Sequence, residues 1–128
     1  MGVERPNKIV YKDLSYQIMS VAYEVHKVLG SGFSENIYEE ALAKELNHQG
    51  IEFERQKAVN VSYKGAVIGE YRLDFVIEDK IVLEIKAVSE MAPLFEAQIY
   101  SYLKAAGLKL GILLNFGEKS LVAKRIVN

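Results

Sequence analysis

Apolar residues at Ile18, Val21, Ala22, Val25 and Val28 recur at the three- and four-residue steps of a helix. They predict a first helix that runs to about Leu29 and turns this stripe to a core. Asp13 or Ser15 is its expected N-cap. Gly30-Ser31-Gly32 ends it, because glycine tolerates the left-handed conformation of helix ends. Ser34 then caps a second helix over 35–48, with Ile37, Tyr38, Ala41, Leu42 and Leu46 as its apolar stripe and Gly50 past its end. Beyond Ile51 the period falls to two. Val59, Val61 and Tyr63 alternate with polar residues, as in a half-buried strand. Lys64-Gly65 reads as a turn, followed by strands over about 67–77 and 81–88. Pro93 suits the first turn of a helix, where its missing N–H costs nothing, and this helix runs to about Ala106 with Gly107 closing it. Leu110–Asn115 reads as a buried strand, and residues 121–126 as a short last one.

The order is helix, helix, three strands, helix, strand. A helix between the last two core strands implies a crossover, so those two strands run parallel. The expected fold is α/β, a mixed sheet flanked by helices. The 128 residues form one expected domain, 1–128, with 1–11 as a loose N-terminal arm.

Composition removes several kinds of chemistry. Without cysteine there are no disulfides, no thiolate metal sites and no cysteine nucleophile, which suits a reducing cytoplasm. No apolar run approaches the ~18 residues of a membrane span, and MGVERPNK has no apolar segment, so neither a membrane partner nor a secretory signal is expected. His26 and His48 fall on separate helices, which disfavours a histidine metal site. There is no nucleophile-elbow sequence and no Gly-x-x-x-x-Gly-Lys phosphate loop. The formal charge of −1 is not that of a general nucleic-acid coat. Lys104, Lys109, Lys119, Lys124 and Arg125 make the last quarter locally basic, either as a solvated face or as a patch for an anionic partner.

The informative charges lie where none is expected. The strand Ile81-Val82-Leu83-Glu84-Ile85-Lys86-Ala87-Val88 is otherwise apolar, as a central strand is. Glu84 and Lys86 point to one face. Burying them costs several kcal/mol each unless they are paired or bind a metal. Asp74 interrupts Leu73-Asp74-Phe75-Val76-Ile77 in the same way. If Glu78-Asp79-Lys80 is the loop, Ile77 pairs with Ile81, Asp74 falls opposite Glu84, and Arg72 faces Lys86. A two-residue loop would send the two acids to opposite faces. Adjacent carboxylates repel unless a cation intervenes, and a hard ion such as Mg²⁺ or Mn²⁺ takes carboxylate, carbonyl and water oxygens. The Ile85 carbonyl is a further candidate ligand. Lys86 would stabilise charge developing on a phosphate. The alternative is a buried ion pair of Lys86 with Asp74 or Glu84 and no chemistry.

Asp74 followed by Glu84-Ile85-Lys86, within helix, three strands, helix and strand, resembles the PD-(D/E)XK nuclease superfamily, whose restriction-endonuclease-like core has that order. The first helix is then an extra N-terminal one. Gly32-Phe33-Ser34-Glu35-Asn36-Ile37-Tyr38 is similar to the motif of a narrower bacterial group, the GxxExxY proteins. So are Tyr71-Arg72-Leu73-Asp74, Glu84-Ile85-Lys86-Ala87-Val88 and residues 111–117. No proline precedes Asp74, as in many members of the superfamily. The resemblance implies that Asp74 and Glu84 bind metal, that Lys86 acts at the phosphate, and that a further acid stands on the preceding helix. Glu35 and Glu39, one turn apart on either side of Tyr38, both qualify. Gln98 and Tyr102 resemble a Gln-x-x-x-Tyr element on the later helix of some relatives. With Arg72 and Tyr38 they are the candidate substrate contacts. The function implied is a divalent-metal-dependent nuclease acting on nucleic acid, with DNA the first expectation and a homodimer expected by analogy with related resolvases. The alternative is a non-catalytic nucleic-acid-binding or interaction module on the same scaffold.

Overall fold

The computed structural model describes residues 9–128, so the first eight residues of the expected arm lie outside the described residues. Val10 and Tyr11 pack against the core, and the Val10 carbonyl accepts a hydrogen bond from Arg125 at 2.8 Å. Helix α1 (Lys12–Leu29) starts behind Tyr11, which takes a left-handed backbone. Neither Asp13 nor Ser15 caps it. Ser15 is buried one turn in, where its hydroxyl accepts a 2.6 Å bond from Arg125. The stripe Ile18, Val21, Ala22 and Val25 is buried, whereas Val28 has rotated out and is 70% exposed. Helix α2 (Glu35–His48) begins behind Ser34 and buries Tyr38, Leu42 and Leu46, leaving Ile37 exposed.

Strands β1 (Phe53–Tyr63), β2 (Ala66–Ile77), β3 (Ile81–Lys86), β4 (Leu110–Asn115) and β5 (Val122–Val127) form one sheet in chain order, and helix α3 (Pro93–Ala106) crosses from β3 to β4. The β3–β4 pair is parallel, as the crossover requires, and the others are antiparallel. Lys64-Gly65 closes the first hairpin with positive φ at both residues, the two-residue turn that matches strand twist. β3 stops at Lys86 rather than at residue 88. The Asn115 side chain takes over there, accepting from Val88 N–H and donating to the Val88 carbonyl, each at 3.0 Å.

One core lies between α1, α2 and the sheet, and a smaller one under α3. Gly111 sets the second: a Cβ there would collide with Ile99 of α3. The helix therefore lies close on the sheet, with Phe95 over Lys86 at the end of β3 and Tyr102 against Tyr71 of β2.

Candidate active site

The β2–β3 turn uses residues 78–80 and pairs Ile77 with Ile81, Val76 with Val82 and Phe75 with Leu83. This register sets Asp74 against Glu84. The ladder ends there and side chains replace it. The Asp74 N–H donates to Glu84 Oε1 at 3.1 Å, and the Ile85 N–H donates to Asp74 Oδ2 at 2.9 Å. Each carboxylate is thus oriented by a backbone N–H of the opposite strand. Since β2 and β3 part at this point, Arg72 does not face Lys86. It is exposed, with its guanidinium on the Gln56 carbonyl at 3.3 Å and near Glu70 at 3.7 Å.

Glu84 is only 6% exposed. Burial, then the charge of Asp74 and a hydrogen bond with it, push its carboxyl up to about 9. Lys86 opposes this shift only weakly, and its ammonium lies over the Phe95 ring, 4.5 Å from the centroid. The structure therefore does not show the ion pair that would make these charges merely structural. Tyr102 of α3 is raised as well, by burial first and then by Glu84, Asp74 and Tyr71; its ring meets Tyr71 edge-on at 4.8 Å. Gln98 stands half-buried one turn before it.

On the other side, Glu35, Asn36 and Glu39 of α2 line a small cleft of about 220 Å³ with Gln56, Asp74 and Ile85. Glu39 is the more enclosed acid: Arg55 holds one of its oxygens at 2.7 Å and Gln56 the other at 2.6 Å. Gln56 also reaches Asp74 Oδ1 at 3.4 Å. Glu35 is exposed at the mouth. Tyr38, a candidate substrate contact by sequence, is a core residue instead. It is fully buried, stacked on Phe116 with centroids 4.6 Å apart, and its hydroxyl donates to the Gly30 carbonyl. The i, i+4 rule places it beside the acids but does not say which way the helix turns. Gln56, Arg55 and Phe95 carry no sequence signal of their own and become visible only through these contacts.

Among the described residues, no three His, Cys, Asp or Glu side chains form a metal cage by themselves. Two carboxylates on splayed strands suit a hard divalent ion that keeps several waters and completes its shell with substrate phosphate. The two acids crowd each other with little opposing charge, and this fits a cation as their missing partner.

The solved structures that resemble this fold include SSO0001, 21% identical, with a TM-score of 0.59 over 92% of this chain and 59% of that one. The chain thus spans about three-fifths of the length of SSO0001. Another is an alkaline exonuclease, LHK-Exo, from Laribacter hongkongensis, 12% identical, with a TM-score of 0.50 over 84% of this chain and 76% of that one. No curated protein matches the sequence. The family model of the PD-(D/E)XK nuclease superfamily matches residues 12–126, which include both acids, the lysine and all of the sheet but the last residue of β5. With helices on both faces of a mixed sheet and the paired acids at its splayed centre, the chain belongs to the PD-(D/E)XK nuclease superfamily.

Proposed function

We propose that the protein is a divalent-metal-dependent nuclease that hydrolyses phosphodiester bonds in DNA, and that it falls within the GxxExxY group whose motif it resembles. The observation that carries this reading is the Asp74–Glu84 pair, in which a deeply buried carboxyl is driven up to about 9 beside a second acid. Asp74, Glu84 and the Ile85 carbonyl would hold Mg²⁺ or Mn²⁺, with Glu39 as the acid contributed by α2. When bound there, such an ion would supply Lewis acidity at the phosphate and lower the pKa of a coordinated water. The backbone N–H partners orient both carboxylates, and Glu84 would have to release its proton to serve as a ligand. Lys86, which forms no ion pair among the described residues and rests on the Phe95 ring, would supply positive charge where the phosphate gains negative charge. Tyr102 and Gln98 line the α3 side as candidate substrate contacts.

The test is calorimetric titration of Mn²⁺ and Mg²⁺ into wild type and Asp74→Asn, followed by cleavage assays on single- and double-stranded DNA and on RNA. Saturable binding that Asp74→Asn loses, together with metal-dependent products, is expected. Nucleic-acid binding that ignores metal and yields no products would instead make the protein a binding module.

A further inference from the structure

Among the described residues, five that are not glycine have positive φ. Tyr11 precedes a helix, and Lys64, Glu78 and Asp79 sit in hairpin turns. Gln56 alone lies inside a strand, at φ 49°. A side chain with a Cβ crowds its own carbonyl in that conformation. The ladder records the distortion: Arg55 pairs with Phe75 and Lys57 with Leu73, but Gln56 and Asp74 between them do not pair. Such outliers persist where the surroundings hold them, and they gather at functional sites.

The distortion directs the Gln56 amide toward α2 and Asp74. Its Nε2 donates to Glu39 Oε1 at 2.6 Å and makes a longer contact of 3.4 Å to Asp74 Oδ1. We propose that Gln56 is a positioning residue that fixes the Glu39 carboxylate beside the Asp74–Glu84 pair, so that helix and sheet acids face one cation together. One amide nitrogen carries two donors, so it can join two carboxylates that otherwise repel. Because it is neutral, it does so without adding a positive charge that would compete with a metal ion. A lysine at this position would fill the site electrostatically. Arg55 holds the other Glu39 oxygen from outside the cleft, which leaves the carboxylate little freedom to turn.

The metal role rests on the nuclease reading above, whereas the positioning itself is tested without metal. Gln56→Gly removes the amide and accepts the backbone conformation without strain. Its melting temperature is expected close to or above that of wild type, which a merely structural role would not give. In its metal-free crystal structure the Glu39 carboxylate turns away from Asp74. Mn²⁺ then binds about tenfold more weakly, the scale of losing an outer-shell partner. Gln56→Met, which has the reach but neither a donor nor a charge, fails to restore either property. Glu39→Gln weakens Mn²⁺ binding similarly, and adding Gln56→Gly to it changes little, because the two act as a unit. A Gln56→Gly protein that keeps Glu39 in place, or binds Mn²⁺ like wild type, overturns the proposal. If wild type takes up no Mn²⁺, the metal reading fails, and the position of Glu39 in the metal-free crystals still decides what Gln56 does.

Discussion

Two clusters of acids lie next to each other in this protein and behave in opposite ways. In the outer one, Glu39 and Glu40 share the Arg55 guanidinium at 2.7 and 2.9 Å. The hydrogen bond to Arg55 holds the Glu40 carboxyl below its usual range, and the same bonds raise Arg55. In the inner one, no cation among the described residues pairs with Asp74 or Glu84, and Glu84 rises to about 9. In the outer cluster Arg55 satisfies Glu40 and one oxygen of Glu39, whose other oxygen turns to Gln56 at the cleft. The inner one leaves the same need unmet, deeper in the fold, where desolvation makes it costlier. A chain selected for stability alone would place Val or Ile at position 84, so the inner cluster carries a cost that packing does not explain.

The largest expected effect comes from removing the lysine that stays out of the inner pair. Lys86→Ala should lower cleavage about 100-fold or more, the scale of losing one charge-stabilising donor, with an unchanged circular dichroism spectrum. Undiminished cleavage would remove Lys86 from the chemistry and leave the two acids without their expected companion.

The contrast is next sharpened by pH. Glu84 binds its proton more tightly folded than unfolded, so metal-free stability should fall as pH rises from about 4.5 to about 9. Glu84→Gln should flatten that dependence and melt higher than wild type at pH 8, with little difference at pH 4.5. Mn²⁺ should reverse the order at pH 8 by stabilising wild type alone. Equal pH profiles for the two metal-free proteins would contradict the burial-driven shift.

The smallest effect is expected in the outer cluster. Arg55→Ala should let Glu40 titrate nearer the ordinary carboxylate range, followed by NMR of its side-chain carbon. In wild type the Glu40 contribution is present above that ordinary range and is lost as pH falls through the lowered value. The Arg55–Glu40 pair is solvent-screened, whereas Glu39 is only 12% exposed and keeps its bond to Gln56, so the melting temperature should fall modestly. A large drop on this substitution would mean that the outer cluster carries the fold rather than closing a surface.

Most of the scaffold is legible in the sequence because single residues encode it. Pro93 and Gly107 bound α3, and Lys64-Gly65 gives the first hairpin. The period of two fixes which residues of β3 share a face. The carboxylate pair is legible for the same reason, since charges within an apolar strand stand out and a three-residue loop fixes their register. What stays hidden depends on rotation and on long-range partners. Val28 and Ile37 fit their apolar stripes yet lie outside the buried arc. Tyr38 sits between two acids in sequence but turns to Phe116, nearly eighty residues away. The end of β3 is set by an asparagine in β4. Gln56 reads as an ordinary strand residue, because no local pattern announces a left-handed backbone in a strand.

The hairpin register also bears on how the molecule assembles. Asp74 and Glu84 are ten residues apart and meet across a short antiparallel turn, a contact that closes in about 1–10 μs in small hairpins. The parallel docking of β4 must wait for the α3 crossover, and non-local pairing of that kind is slow. The two acids are therefore expected to come face to face while one flank of the sheet is still open to water. Their repulsion is then met when it is cheapest, while water still solvates both carboxylates and before the core closes over Glu84.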